Sequence, residues 1–227
     1  NSVAFSRIHW KHLHKAGEYK GVKLLGVFTH GPGQMFLVKK PVNSVADIAG
    51  MKIRSGGGIS EASAKALGAS PLVKPAPESY EILASGVADG TFFPSESIRS
   101  FNLDKVVKHA TIFPGGFYSS AFGFFMNEEK WNKLSKQDQD AINSVSGEAL
   151  ARLAGKAWDA ADKGGMEALK AAGVNIQQAS PAFIAEVRSR TEPLANNWIQ
   201  AANAKGLDGA KVLAEFREEL KRVAEGK

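Results

Sequence analysis

The sequence predicts an α/β fold: a largely parallel sheet covered by helices. Three observations carry that reading. From Met51 to Ser85 the chain alternates strand, helix, strand and helix. The stretch Gly50-Met51-Lys52-Ile53-Arg54-Ser55-Gly56-Gly57-Gly58 reads as a short strand, Met51 to Arg54, entering a glycine-rich turn, with a helix from about Ser60 to Leu67. After Asn127 the composition changes to helical, amphipathic stretches that extend almost to the C-terminus.

The elements follow in order. Ser2 to Lys15 has a roughly helical spacing of apolar residues, and Gly17 stops it. Val22 to Phe28 is a strand. Two glycines and a proline in Thr29-His30-Gly31-Pro32-Gly33-Gln34 make a bend, after which Met35 to Lys39 resumes as strand. Ser44 is a plausible N-cap for a short helical turn, Val45 to Ile48. Beyond the glycine-rich turn come a strand at Pro71 to Lys74 and a helix beginning near Pro77, with Glu78 in its first turn. Gly86 to Phe92 reads as a short buried strand, Pro94 to Ser100 as a helix start and Val106 to Ile112 as a strand. Gly115 and Gly116 mark a turn before a long aromatic strand, Phe117 to Met126, whose Phe122, Phe124 and Phe125 are expected in the core. A short helix holds Trp131. Ser135 caps a long helix reaching about Lys163, and Gly173 ends the next helical stretch. A strand at Val174 to Gln177, a helix opening at Ser180-Pro181, and helices over Val187 to Lys205 and Ala210 to Glu225 complete the chain.

Composition removes several classes of function. The 227 residues are 44% hydrophobic, enough for a packed core. The net charge is +6, but its cations are scattered or mixed with glutamates on the C-terminal helix, which is a solvated face and not a nucleic-acid stripe. Cysteine is absent, which excludes disulfides, thiol nucleophiles and cysteine-ligated metal. No apolar run reaches the length of a transmembrane helix. No signal peptide is recognisable, and Asn1 to Lys15 already reads as the middle of a helix, so the numbering is expected to begin inside the fold, after cleavage or truncation.

Arg54 stands at a strand end facing a helix start, a common ligand position in α/β sheets. Its guanidinium is a rigid fork suited to a carboxylate, and the glycines beside it would let backbone approach a ligand. The competing reading is a surface arginine beside a flexible turn. Enzyme signatures are missing. No lysine–serine/threonine pair follows Gly56-Gly57-Gly58, as a phosphate loop requires, and there is no nucleophile elbow and no convincing acid–base pair near Arg54. His9, His12 and His14 lie on the first helix, where a solvated surface is the simpler reading than metal binding.

A set of short strings then carries a family resemblance: Gly17-Glu18-Tyr19-Lys20-Gly21-Val22-Lys23, His30-Gly31-Pro32-Gly33-Gln34, Gly50-Met51-Lys52-Ile53-Arg54, Gly86-Val87-Ala88-Asp89-Gly90, and Met126-Asn127 followed by Trp131 and Leu134. In this order and spacing the chain, from about Gly17 onward, resembles the substrate-binding component of tripartite ATP-independent periplasmic (TRAP) transporters, the DctP-type family. The resemblance implies a two-lobed, periplasmic-binding-protein-like α/β fold with crossover strands and a long connecting helix, the N-terminal part of the first lobe being absent from this numbering. It implies a first lobe of residues 1–28 and 121–227 and a second of 29–120. It further implies a periplasmic receptor, not an enzyme, that clamps a small organic acid between its lobes by domain closure and delivers it to the membrane components of a TRAP transporter. No cofactor, metal, nucleic acid or membrane insertion is expected. A ligand-sensing domain of the same fold, and less readily a small α/β enzyme, are the alternatives.

Arg54 matches the arginine with which the family grips the substrate carboxylate. Phe93 stands where many members carry asparagine, and offers either an apolar wall for the substrate or a core side chain. Glu96 is read either as a partner for a substrate hydroxyl or amine, or as a stabiliser of a helix N-terminus. Of Phe117 and Tyr118, strand alternation lets only one face the ligand. The Tyr118 hydroxyl is read as a ligand contact or as part of hinge packing. Some relatives place an arginine near Gly33. Its loss leaves Gln34 or His30 as neutral substitutes and argues against a substrate needing two carboxylate grips, while Phe93 and the nearby aromatic residues tilt the expected substrate toward a monocarboxylate with an apolar body.

Overall fold

The computed structural model describes all residues from 1 to 227. The helices are α1 (Ser2–Lys11), α2 (Val45–Ile48), α3 (Gly58–Ala66), α4 (Ser79–Ala84), α5 (Glu96–Ser100), α6 (Glu128–Asn132), α7 (Lys136–Ser144), α8 (Glu148–Ala171), α9 (Pro181–Ala204) and α10 (Gly209–Ala224). The strands are β1 (Val22–Thr29), β2 (Gly33–Leu37), β3 (Lys52–Ser55), β4 (Ser70–Val73), β5 (Gly90–Pro94), β6 (His109–Ile112), β7 (Ala121–Asn127) and β8 (Asn175–Gln178). The chain forms two compact units. One contains residues 1–30, 121–157 and 195–227, and the other 31–120 and 158–194. Residues 158–194 therefore group with the central segment, because β8 adds to the sheet of that unit through a parallel pairing with β6.

The central unit is built on a six-stranded sheet of order β4-β3-β5-β2-β6-β8. It is mixed, which corrects the expectation of a largely parallel sheet. β4, β3 and β5 run parallel, as do β6 and β8, but β2 lies antiparallel between β5 and β6. Strand alternation gives the sheet two cores. Met35, Leu37, Ile53 and Phe92 point to one face and pack with Ile48, Leu67 and Phe183. Phe36, Phe93 and Ala110 point to the other and pack with Leu83, Ile98, Leu103 and Leu169. Arg54 lies between Ile53 and Ser55, so it shares the second face with Phe93. The Ser44 cap is realised as a full capping box: the Ser44 hydroxyl accepts from Asp47 N, and the Asp47 carboxylate accepts from Ser44 N.

The other unit carries a two-stranded antiparallel sheet, β1 with β7, and α1 packed on β1 and α10. Arg7 of α1 donates to both Glu148 oxygens at 2.8 and 2.9 Å and to Glu219 at 2.6 Å, tying α1 to α8 and α10. Phe122, Phe124 and Phe125 are exposed, Phe124 and Phe125 at 52% and 55%, and not in the core as expected. β7 pairs with β1 alone, so these rings have no second strand to pack against. The expected aromatic strand is also shorter, since residues 117–120 are irregular. The single helix expected from Ser135 to Lys163 is two: Ser135 caps α7, and Gly147 at φ +60° interrupts the run before α8. His9 is buried, which corrects its reading as surface. Its ring packs edge-on against Trp10 and Tyr19, and burial holds its pKa below the usual histidine value.

Candidate functional site

The site is assembled from β3, the turn after it, and the chain that flanks β2. Arg54 is 2% exposed and is the largest fully buried side chain of the protein. Its Nε and Nη2 donate to the Lys74 carbonyl oxygen at 3.0 and 2.6 Å, just beyond the end of the adjacent parallel strand β4. Its guanidinium carbon lies 4.1 Å from the centre of the Phe93 ring, and Phe93 is stacked in turn on Phe101 at 5.8 Å. No carboxylate of the chain pairs with it, and Nη1 is buried without a hydrogen-bond partner. Burial pulls the guanidinium pKa down to about 10. A cation held in this way is costly unless something anionic meets it.

Tyr118 reaches the same region by a backbone route. Gly33 N donates to Tyr118 O at 2.9 Å, and Phe117 N donates to Gly33 O at 3.1 Å, so the irregular segment is clamped to the start of β2. The clamp is close enough that a Cβ on Gly33 would lie 2.1 Å from Tyr118 Cε1. The tyrosine ring therefore occupies the space that any side chain at position 33 would need. Burial raises the Tyr118 pKa, while the Ser60 hydroxyl and the Arg54 charge act in the opposite direction. Ser60, in the first turn of α3, is 3% exposed. Its hydroxyl bears on the Tyr118 phenol and is otherwise buried without a hydrogen-bond partner.

The remaining residues singled out in the sequence lie as follows. Phe117 packs edge-on against Phe92 at 4.9 Å and against Phe113 at 5.2 Å, within the apolar core of the opposite sheet face. Both ends of the Gln34 amide are engaged by the Phe113 backbone, Nε2 donating to its oxygen at 3.2 Å and Oε1 accepting from its nitrogen at 2.7 Å. The Glu96 carboxylate accepts from the Ser97 and Ser100 hydroxyls of its own helix. His30 belongs to the other unit, where its buried ring lies 6.0 Å from Phe122. The structure thus brings Arg54, Phe93 and Tyr118 together and engages Gln34, Glu96 and Phe117 elsewhere.

Three contributors were not singled out in the sequence. The Lys74 carbonyl that orients Arg54 is a backbone group with no side-chain signature. Ser60 is one of many serines, marked only by its place in the first turn after three glycines. Asp162 of α8 accepts from Glu96 N at 2.8 Å and so caps α5, the helix that follows Phe93, where Ser95 makes no side-chain cap of its own. No group of histidine, aspartate and glutamate is arranged to hold a metal ion, and no helix is long and apolar enough to cross a membrane.

Arg54 is thus a buried arginine with no ion-pair partner at the end of an α/β sheet strand. The chain belongs to the bacterial extracellular solute-binding protein family 7, whose model matches residues 3–201. Among solved structures it is similar to a TRAP periplasmic solute-binding protein of Bordetella bronchiseptica holding (R)- and (S)-mandelate. The identity is 49% and the TM-score 0.94, covering 98% of this chain and 70% of that one. It is also similar to a marine metagenome TRAP solute-binding protein specific for aromatic acids, solved with metahydroxyphenylacetate, at 33% identity and a TM-score of 0.89 over 97% and 70% of the two chains. Among curated relatives, the outer membrane transporter protein TsaT of Comamonas testosteroni is 30% identical over 218 residues, 96% of this chain. This chain spans 64% of the length of that relative. The C4-dicarboxylate-binding periplasmic protein of Rhodobacter capsulatus is 28% identical over 69% of this chain and 46% of its own length.

Proposed function

We propose that the protein is a periplasmic receptor that binds an aromatic monocarboxylate through Arg54 and delivers it, unchanged, to the membrane components of a TRAP transporter. The observation that carries this reading is Arg54 itself: buried, oriented by Lys74 O, stacked on Phe93, and left with Nη1 unpaired. Nη1 and the remaining Nη2 hydrogen present the end of the fork to one carboxylate. The Phe93 ring under the guanidinium and the Tyr118 ring beside Gly33 supply aromatic surface where an amide or a second cation would favour a more polar acid. A single cation supports a single carboxylate. The aromatic acids held by the Bordetella and marine relatives agree with that chemistry.

The test is calorimetry on the full-length protein with mandelate, benzoate, succinate and malate, together with analysis of the recovered acid. Binding of the aromatic acids without conversion, and at least tenfold weaker binding of the dicarboxylates, is expected. Preferential binding of succinate or malate would overturn the ligand class, and turnover of the bound acid would overturn the receptor role.

A further inference from the structure

We infer that Asp162 is a positioning residue for the ligand grip: from α8 it fixes the corner between β5 and α5, and so holds the Arg54–Phe93–Phe101 stack in place. The inference rests on the proposed receptor function and goes beyond it by assigning a residue of α8 to a grip made on β3 and β5. The stack has three layers. The Arg54 guanidinium carbon lies 4.1 Å from the centre of the Phe93 ring, and Phe93 lies 5.8 Å from Phe101 with the two planes 22° apart. Phe93 belongs to β5 and Phe101 ends α5, so this one short helix joins the two aromatic layers. A helix of five residues has little stability of its own, and Ser95 gives it no side-chain cap. What fixes it comes from α8. One Asp162 carboxylate oxygen, Oδ1, accepts from Glu96 N at 2.8 Å. Three residues on, Gly165 presents bare backbone, where a Cβ would lie 1.8 Å from Ser95 O. Residues 162 and 165 share a helix face, so the corner is bonded at one and seated flush on the other.

The second oxygen of the same carboxylate reaches the other border of the site. Asp162 Oδ2 is buried without a hydrogen-bond partner, and a Cβ on Gly31 would lie 1.6 Å from it. The carboxylate is therefore wedged between the α5 corner and the chain that enters β2, two residues before the Gly33 that is bonded to Tyr118. Gly31, Phe93, α5 and Asp162 all belong to one compact unit. The wedge accounts for the first glycine of His30-Gly31-Pro32-Gly33-Gln34, as the Tyr118 ring accounts for the second. Burying a carboxylate oxygen with no donor is unfavourable. Burial raises the Asp162 pKa, and the charges of Glu96 and Asp159 act in the same direction. A cap supplied by Ser95 would avoid that cost, but would fix only the end of α5. Asp162 ties one position of α8 to both segments that border the grip.

The experiment is calorimetry with mandelate on the full-length protein, on Asp162→Ala, on Asp162→Asn, on Phe93→Ala and on the Phe93→Ala/Asp162→Ala double variant, with a melting temperature for each. Asp162→Ala should weaken mandelate by about tenfold, the equivalent of one hydrogen bond. Asp162→Asn keeps an acceptor for Glu96 N and should recover most of that loss. In the Phe93→Ala background, removing Asp162 should weaken binding by less than about twofold further, because the layer through which it acts is gone. A merely structural role would show the same loss in both backgrounds, and that result would overturn the inference. Asp162→Ala within about threefold of wild type, or Asp162→Asn as weak as Asp162→Ala, would overturn it too. Each of these leaves the receptor reading intact. If Asp162→Ala does not fold, Gly31→Ala displaces the carboxylate from its other side and should weaken mandelate to a similar extent. Affinity of Gly31→Ala within about twofold of wild type would then overturn the inference. Failure of the wild type to bind mandelate or benzoate would instead overturn the receptor reading on which it rests.

Discussion

Replacing Arg54 with methionine separates what the guanidinium does for the fold from what it does for a ligand. Without ligand, the change removes two hydrogen bonds to Lys74 O and the stack on Phe93. Together these are worth about 2–4 kcal/mol. It also removes a cation that is 2% exposed and faces no carboxylate, and relief from that desolvation is worth several kcal/mol. The two nearly cancel, so the melting temperature of the unliganded protein should move by less than about 5 °C in either direction. Binding has no such compensation. Two charge-assisted bonds to a carboxylate at about 1.5–3 kcal/mol each predict a loss of about 10²- to 10⁴-fold in affinity. Arg54→Lys should fall between, since an ammonium keeps the charge and loses the fork. The assays are calorimetry with mandelate and a thermal melt on the same samples. Affinity within threefold of wild type in Arg54→Met would refute the assignment of the grip.

Other consequences follow from the same geometry. Gly33→Ala places a methyl group against the Tyr118 ring and should destabilise by about 1–3 kcal/mol. In a Tyr118→Ala background the same change should cost under about 0.5 kcal/mol, a coupling that a double-mutant cycle of denaturant melts reads directly. The Arg7–Glu148 pair predicts an acid limb. Arg7 and Arg152 hold the Glu148 carboxyl down to about 2, below its ordinary 4.5. A depressed carboxyl contributes stability that is fully present above pH 4.5 and is lost as pH falls from there toward 2. With the Glu148 side chain 39% exposed, that contribution is held to about 1 kcal/mol. Glu148→Gln should therefore be less stable than wild type near pH 7 and converge with it near pH 2. Parallel curves across that range would remove the pair from the account.

The parts of the fold that were legible in the sequence are those written in side-chain chemistry. Ser44 reads as an N-cap in the sequence and is one in the structure, where Asp47 completes a capping box. Arg54 between a strand and three glycines was identifiable as a ligand candidate because few residues do what a guanidinium does at such a place. What was not legible depends on partners distant in sequence. Gly86 to Phe92 is apolar enough to resemble one strand, but Gly86 adopts a left-handed turn and β5 starts only at Gly90. The antiparallel placement of β2 is set by its neighbours β5 and β6, and no local pattern records it. Gln34 and Glu96 read as available to a ligand because their partners in the fold, a backbone 79 residues away and two serines of the same short helix, leave no local pattern in the sequence. Tyr118 shows the opposite case. Its proximity to Gly33 explains in one contact why position 33 carries no side chain and why a second cation is missing.

The most direct test of the account is a crystal structure of the full-length protein with mandelate bound. The account predicts the mandelate carboxylate on Arg54 Nη1 and Nη2, with Lys74 O still orienting the guanidinium and the ligand's phenyl ring against Phe93 or Tyr118. Mandelate bound elsewhere, with Arg54 Nη1 still unpaired, would contradict it.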